Sequence, residues 1–306
     1  MLLDRLGLWP ARAIWLLAPL TIGAALAQVL ESEASTPALI VEISLWIAWF
    51  AVLVATLAPS PRSLTIIRVI APAAFAALLL VGLSGHWNGT TLLGLGWAAL
   101  FTAVVFLPTV GDGMINGSAY GSERRMALRP PAFVLLGPAQ LAWLLAFAGL
   151  VTWAVLVLAE RYVLAGLAAA GGVVAVWAST RILHQLSRRW IVFVPAGFVI
   201  HDPVLLVDSV LFRRNEVTAL GPALDPLATT GGDRSTADHP GYHDLSAGAL
   251  GLALEVVLRD PTPVTIRERG QARIVELDEL VFTPTLPGAM LREARIRGLK
   301  IAAADS

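Results

Sequence analysis

Residues 162–201 read YVLAGLAAAGGVVAVWASTRILHQLSRRWIVFVPAGFVIH, and the pattern of this stretch changes after Arg181. Tyr162–Ala178 is a continuous apolar run of the length that crosses a hydrocarbon core, for which ~17–25 residues are needed. Trp190–Val194 and the residues after it form short apolar segments separated by Pro-Ala-Gly and Asp-Pro, which is typical of strands and turns. The sequence therefore predicts a transmembrane domain over residues 1–180 and a β-rich domain over residues 181–306.

Five further apolar runs lie upstream, and each is close to the length of one membrane crossing. They are Ala13–Leu30, Ala38–Ala58, Ile66–Leu83, Leu92–Val110 and Phe133–Leu158. Composition agrees, because 57% of the residues are apolar and only 14% are charged, against about 25% charged residues in a soluble domain. The predicted fold is an α-helical transmembrane bundle of about six spans followed by the β-rich domain.

Arginine placement predicts how the spans are threaded through the membrane. If six spans alternate, ten arginines fall on one side, and the opposite side holds only Arg161. The ten are Arg5, Arg12, Arg62, Arg68, Arg124, Arg125, Arg129, Arg181, Arg188 and Arg189. Both termini are therefore predicted to be cytoplasmic. Ala25-Leu26-Ala27 resembles a signal-peptidase site, and cleavage there would leave five spans with the same cytoplasmic C-terminus.

Two further features concern the source of the chain and its chemistry within the bilayer. Lys300 is the single lysine among 22 basic residues, which favours a high-GC bacterial genome of actinobacterial type and hence the bacterial inner membrane. Ionisable residues within spans usually mark ion or proton pathways. Here the candidates are Glu42 and Arg68, each within about a turn of a predicted interface. This pattern disfavours a proton-coupled transporter.

The loop between the fourth and fifth predicted spans, Pro108–Pro131, reads PTVGDGMINGSAYGSERRMALRPP. Three interpretations stay open: an ordered turn with positive-inside arginines, a patch that contacts anionic headgroups, or a segment that docks on the C-terminal domain. Gly111-x-Gly113 resembles a phosphate-binding loop but lacks the strand that such a loop follows. The candidate lipid or partner contacts are Asp112, Asn116, Tyr120, Glu123, Arg124, Arg125 and Arg129.

Short strand-like segments continue through the C-terminal half. Besides Trp190–Val194 they are Phe198–His201, Val204–Val207, Val210–Phe212, Leu254–Arg259, Val264–Arg267, Ala272–Leu277 and Leu280–Phe282. Residues 260–263, Asp-Pro-Thr-Pro, are predicted to form a turn. A helix is predicted near the end, with Thr285 as its cap and Pro287 in its first turn.

The opening RRWIVFVPAGFVIHDP and the terminal helix resemble the bacterial pleckstrin-homology-like (PH-like) domains that are fused to membrane spans in actinobacterial envelope proteins. The resemblance covers about residues 181–300. It implies a PH-like small barrel with a C-terminal helix, and a lipid headgroup or peptide as ligand at the open end of that barrel. The sequence departs from the family pattern by a long insertion, 221–251, which is predicted to be flexible.

The insertion contains His239 and His243, whose spacing of four would place both on one face of a helix. Pro240-Gly241 between them is incompatible with that helix, and the chain has no cysteine. No metal, cofactor or catalytic residue is therefore predicted. Asp202 and Asp208 are interpreted as turn residues. Net charge is zero, so nothing indicates nucleic-acid binding.

Three functions remain open from the sequence. The favoured one is a non-enzymatic accessory or scaffold protein of the bacterial cell envelope, whose cytoplasmic domain, residues 181–306, contacts a protein partner or anionic lipid. The second is a transport or flippase component for an apolar or lipid-like substrate, which needs no buried ion. The third is a membrane-embedded enzyme that uses residues 111–129 at the interface.

Overall fold

The structure is a computed structural model that describes residues 7–31, 33–223, 241–268 and 270–302. The chain folds into two compact units. The helical unit comprises Met1–Gly117 and Ala139–His184, and the β unit comprises Ser118–Pro138 and Gln185–Ser306. The predicted boundary at 180/181 lies close to the last junction. Residues 118–138, however, which the sequence places in the transmembrane domain, belong to the β unit.

Long apolar helices build the helical unit. The helices of the described chain before the C-terminal half are α1 (Trp9–Leu16), a π-helical turn (Pro19–Gly23), α2 (Ala24–Leu30), α3 (Ser35–Leu57), α4 (Pro61–Leu83), α5 (Gly89–Val105), α6 (Pro108–Asn116), α7 (Ala132–Leu136), α8 (Pro138–Leu158) and α9 (Tyr162–Ser187). Among the described residues five helical segments are long and apolar enough to cross a membrane, and the bent pair α5–α6 would make a sixth. These helices indicate a multi-pass membrane protein.

The outward faces of these helices are strongly apolar. Ile47, Phe50, Leu141 and Val163 are each at least 60% exposed. Contiguous apolar surface of this kind is unfavourable in water and normal in lipid. The inward faces use small residues: a Cβ at Gly149 would lie 2.7 Å from the Cα of Gly172, so α8 and α9 approach each other backbone to backbone at this point.

The fourth predicted span, Leu92–Val110, is not one straight helix. α5 ends at Val105, and α6 begins at Pro108 with its axis bent by 60°. Leu107 has extended backbone angles (φ −59°, ψ 136°), which are the angles favoured directly before a proline. Proline therefore breaks the span and creates an elbow between α5 and α6.

The β unit contains two four-stranded sheets in its described part. The strands are β1 (Arg124–Ala127), β2 (Trp190–Val194), β3 (Gly197–His201), β4 (Val210–Arg213), β5 (Val217–Pro222), β6 (Tyr242–Asp244), β7 (Leu254–Glu268) and β8 (Gln271–Phe282). Sheet 1 has the antiparallel order β1-β2-β3-β4, and sheet 2 has the order β5-β7-β8-β6 with β6 parallel to β8. Both sheets and α10 (Pro287–Ile296) share one hydrophobic core, to which α10 contributes Met290 and Ala294.

Several predicted strands have the expected bounds, and others differ. β2, β3 and β4 lie within one residue of their predicted ends. Val204–Val207 is a turn instead of a strand. The predicted turn at 260–263 lies inside β7, because a register shift between Val257 and Thr262 accommodates the two prolines. β8 is one strand where two were predicted, and β1, β5 and β6 were not predicted.

The two sheets do not close into the predicted barrel within the described residues. They meet at two corners, where isolated bridges join Leu206 to Ile266 and Leu128 to Pro284. The C-terminal helix is present, but its N-cap is Leu286. The Thr285 hydroxyl, which was predicted to cap it, donates to the carbonyl of Ala127 at 3.1 Å.

The predicted insertion 221–251 is partly built into sheet 2. β5 ends at Pro222, β6 follows at Tyr242–Asp244, and Leu245 and Ala249 are buried. Arg5 and His239, named from the sequence, lie outside the described residues.

Candidate functional site

The candidate contact residues are divided between the two units. Asp112 and Asn116 lie on α6 of the helical unit, whereas Tyr120, Glu123 and the three arginines 124, 125 and 129 lie in the β unit. The segment 108–131 is therefore not one continuous interfacial loop. This division also places Asp112 and Glu123, the two acidic residues within the 111–129 segment of the enzyme hypothesis, in different units.

β1 is the structural reason for this division. Arg124–Ala127 pairs antiparallel with β2, so that Met126 lies opposite Ile191 and both side chains enter the core. Arg125 lies opposite Val192 on the outer face of sheet 1. The chain just beyond β1 also pairs with the other sheet, since the Arg129 amide donates to the Thr283 carbonyl at 2.8 Å. Of the three interpretations of the loop, docking on the C-terminal domain describes residues 118–131.

A buried ion pair holds this segment in place. Arg189 and Asp202 are each 1% exposed, and the Arg189 Nη2 lies 2.7 Å from Asp202 Oδ2. Arg189 Nη1 donates to the Arg129 carbonyl at 2.7 Å, and Nη2 also donates to the Leu245 carbonyl at 3.2 Å. The Arg189 guanidinium, just before β2, therefore forms hydrogen bonds with the chain after β1 and with the chain after β6. Arg189 is thus a core residue, although the orientation rule treats it as an interfacial charge.

Asp202 is a turn residue, as predicted. Its Oδ1 accepts hydrogen bonds from the amides of Val204 and Leu205 at 3.1 and 3.3 Å. Its Oδ2 neutralises Arg189, so the same carboxylate both shapes the turn and satisfies the buried cation.

The outer face of sheet 1 carries a layered group that we call the cationic face: Arg125, Arg188, Trp190 and His201. The Arg125 guanidinium lies 5.6 Å from the centre of the Trp190 ring, a cation–π distance. The Trp190 and His201 rings stack with centroids 4.8 Å apart. Arg125 Nη1 donates to the Ser118 hydroxyl at 2.8 Å, and its Nη2 lies 3.4 Å from Glu123 Oε2. Arg125 therefore lies over the Trp190 ring, and Arg188 Nη2 lies 3.5 Å from Nε2 of His201.

The surroundings of His201 on this face favour its neutral form. Burial lowers the pKa of His201 most, the positive charges of Arg188 and Arg125 lower it further, and only Asp202 opposes them. Since Arg188 can only donate, its Nη2 at 3.5 Å makes His201 Nε2 the acceptor, and Nδ1 then donates to the Ser209 hydroxyl at 2.7 Å. The face therefore offers cationic donors beside a neutral aromatic surface, a combination suited to a phosphate or a carboxylate.

The remaining candidate residues have different surroundings. Tyr120 is 85% exposed in the turn before β1, and its amide lies 3.4 Å from Glu123 Oε2. Arg129 lies with its guanidinium against the backbone of Gly251, and its Nε is buried without a hydrogen-bond partner. Tyr120 is thus available to a partner, whereas Arg129 is mainly structural. Sequence reasoning missed Trp190, His201 and Arg188. Trp190 and His201 come together because β2 pairs with β3, and Arg188 lies in the turn before β2, so no local pattern predicts the group.

Two charged residues lie at the α5–α6 elbow of the helical unit: Arg68, which belongs to α4, and Asp112 on α6. The Arg68 guanidinium lies 5.3 Å from the centre of the Phe106 ring, and a Cβ at Gly111 would lie 2.8 Å from Arg68 Nη2. Asp112 is only 3% exposed. A side chain at position 111 would therefore displace the end of the Arg68 side chain. Gly111 and Gly113 both belong to the helix α6.

No group of three or more potential metal ligands is found among the described residues. His243 is partly buried, its Nδ1 has no hydrogen-bond partner, and burial is the main cause that lowers its pKa. Comparison of the chain with protein-family models, with curated proteins and with solved structures yields no match. The geometry of the two units alone must therefore support a function.

Proposed function

We propose that this chain is a non-enzymatic accessory protein of a bacterial plasma membrane, whose β unit contacts a partner on the cytoplasmic side. The observation that carries the proposal is the pairing of β1 with β2. β1 follows α6 and β2 follows α9, and two predicted crossings, α8 and α9, lie between them. An even number of crossings puts both strands on one side of the membrane, so loops from two places in the chain build one domain there.

Arginine placement supports the cytoplasm as that side. If the bent pair α5–α6 counts as one crossing, the chain crosses six times, and all ten arginines of the predicted cytoplasmic side fall together. If the pair did not cross, the arginines on either side of it would fall on opposite faces of the membrane. The positive-inside rule therefore favours the six-span arrangement with both termini in the cytoplasm.

The cationic face is the surface that supports a contact role. It combines exposed Arg188, the Arg125–Trp190 pair and the neutral His201 on a sheet face where Val199 and Leu211 are also accessible to solvent. Aromatic and arginine side chains are enriched where proteins contact partners. An acidic protein segment or an anionic headgroup would satisfy the arginines. The PH-like resemblance implies the same two ligand classes, but it places them at the open end of a barrel, whereas the cationic face lies on the outer face of an open sheet in the described residues.

Site-specific photo-crosslinking in native membranes tests the proposal. A photoreactive residue at Val199, on the cationic face, is expected to form a reproducible adduct that is lost in the R125E/R188E variant. The same group at Ile296, which is 77% exposed on α10, serves as the matched control. A protein adduct indicates a partner, and a lipid adduct indicates headgroup contact. Equal labelling from both positions, or labelling that survives the charge reversal, contradicts the proposal.

A second candidate function rests on a groove between α8 and α9. This groove of about 520 Å³ is almost entirely apolar, with Thr152 as a polar exception. Its volume falls within the range of about 300–1,000 Å³ of small-molecule sites. Such a groove would suit a transport or flippase component for a lipid-like substrate. Lipid scrambling by the purified protein in proteoliposomes, abolished by a bulky A175F replacement in the groove, would favour this function over the accessory role.

A further inference from the structure

A separate cavity of about 260 Å³ lies within the helical unit, between the first turns of α4 and the last turns of α9. It is lined by Arg62, Thr65, Ile66, Trp177, Thr180, Arg181 and His184. The Arg181 guanidinium lies 5.5 Å from the centre of the Trp177 ring. These lining residues include two arginines and a histidine and no carboxylate, so their charge favours an anion.

The guanidinium N–H groups of Arg62 and Arg181 are available to a ligand. Within the part of the chain that the structure describes, neither Arg62 nor Arg181 forms a hydrogen bond or an ion pair, although Arg181 rests on Trp177. The threonine hydroxyls donate to the backbone of their own helices, Thr65 to Pro61 at 2.9 Å and Thr180 to Val176 at 2.9 Å. An incoming anion would therefore be held mainly by the two guanidinium groups, which match the geometry of phosphate oxygens.

Ile66 and Trp177 form an apolar part of the cavity wall beside the two guanidinium groups. Ile66 is 38% exposed and Trp177 is 60% exposed, and both belong to helices that are long enough to cross the membrane. Tryptophan is typical of the headgroup level of a bilayer. A ligand that satisfies both parts of this site has a negatively charged group joined to an apolar body.

We propose that this cavity binds the phosphate group of an anionic phospholipid of the cytoplasmic leaflet. Its volume of about 260 Å³ lies below the range of ~300–1,000 Å³ for sites that enclose a whole ligand. The cavity therefore holds the phosphate and the glycerol, while the acyl chains lie along the exposed faces of α4 and α9. This site lies in the helical unit and is independent of the proposed contact role of the β unit.

Native mass spectrometry of the full-length protein tests this site. The protein is purified in detergent and offered equal amounts of phosphatidylglycerol and phosphatidylcholine. Wild-type protein is expected to retain phosphatidylglycerol selectively, and the R62Q/R181Q variant is expected to lose about tenfold or more of that retention. R161Q is the matched control, because Arg161 lies just before the opposite end of α9 and is not among the residues that line this cavity. R62K/R181K keeps the charge and should retain part of the selectivity if the fold is intact.

Three outcomes overturn the proposal. The first is equal retention of phosphatidylglycerol by R62Q/R181Q and by wild type. The second is an equal loss in R161Q, which would indicate a general charge effect. The third is displacement of phosphatidylglycerol by inorganic phosphate alone at the same concentration, which would indicate a site for soluble phosphate.

Discussion

In the helical unit many large apolar side chains lie on the outside, whereas in the β unit most of them lie on the inside. Leu20, Ile47 and Val163 of the helical unit are 73%, 64% and 81% exposed, while Phe193 and Phe282 of the β unit are fully buried. The surface of the helical unit therefore suits lipid, and the surface of the β unit suits water. In lipid, helices satisfy their own backbone and need only close approach of small residues. In water, the β unit needs one continuous core and hydrogen-bond partners for most of its buried polar groups.

The comparison predicts that the β unit depends on β1 more than on any other single feature. A fragment that starts at Gln185 lacks Met126 and Leu128 of the core and the carbonyl of Arg129 that accepts from Arg189. Each lost core side chain costs about 2–5 kcal/mol, against a total stability of about 5–15 kcal/mol. We expect this fragment to show no cooperative thermal unfolding by circular dichroism.

Residues 118–131 joined to the same fragment by a short Gly-Ser linker should restore cooperative unfolding. The linker can be short, because the Leu128 amide lies 3.0 Å from the Arg189 carbonyl. If the two fragments melt alike, β1 is dispensable and the division of the chain into these two units is wrong.

The next largest effect is expected from the buried ion pair. Replacement of Arg189 by Met leaves Asp202 buried without its cation, and should lower the free energy of unfolding of the β unit by about 3–5 kcal/mol. The exposed pair between Arg273 and Glu268, at 2.9 Å, is the control, and R273Q should cost at most about 1 kcal/mol. Pulse proteolysis of the full-length protein measures both. The double variant R189M/D202L should recover part of the loss, because it removes the unpaired charge as well.

Much of this fold is visible in the sequence where short-range patterns decide it. The apolar runs predict the long helices, since membrane length is a property of a single segment. β2 and β3 are predicted because Pro195-Ala196-Gly197 lies between two β-branched runs. The elbow at Pro108 also has a local signal, because a proline inside a predicted span favours an extended residue before it.

The candidate site is less predictable, because long-range pairing decides it. The sequence RRMA of β1 has two arginines and no alternation, and only the pairing with β2 makes it a strand. The two prolines at 261 and 263 predict a turn, yet a bulge in β7 accommodates them. Arg189 has the sequence signature of an interfacial charge, and its burial depends on Asp202, Arg129 and Leu245.

We expect substitutions that add volume to destabilise the helical unit, whereas the β unit is destabilised by substitutions that remove contacts. Gly149→Val places a Cβ close to the Cα of Gly172, so α8 and α9 must separate. Overpacking of this kind costs about 1–3 kcal/mol. We expect a lower melting temperature of the full-length protein in detergent. Gly166→Val on α9 is the control, because a Cβ there meets no neighbouring atom within 4 Å. Equal melting temperatures for the two variants would argue against close contact between α8 and α9.

The smallest effect should appear only in the β unit and only below neutral pH. The pKa of His201 in the folded state is lowered from its ordinary value of 6.5, chiefly by burial and then by Arg188. Between the two values the unfolded chain binds a proton that the folded chain does not bind, so stability rises with pH in this window. The contribution is fully present above about pH 6.5 and is lost as pH falls toward the lowered pKa of the folded state.

Variants at His201 and His243 can show how much each histidine contributes to the pH dependence of stability. Since burial also lowers the pKa of His243, H243Q should remove one part of the loss of stability between pH 7.5 and pH 5, and H201Q the other. Only H201Q should also weaken the response to charge reversal at Arg188, because that arginine lies 3.5 Å from His201. Chemical denaturation at the two pH values measures each variant. If H201Q keeps the whole pH dependence of the wild type, His201 is not held neutral, and the cationic face loses the acceptor that orients Arg188.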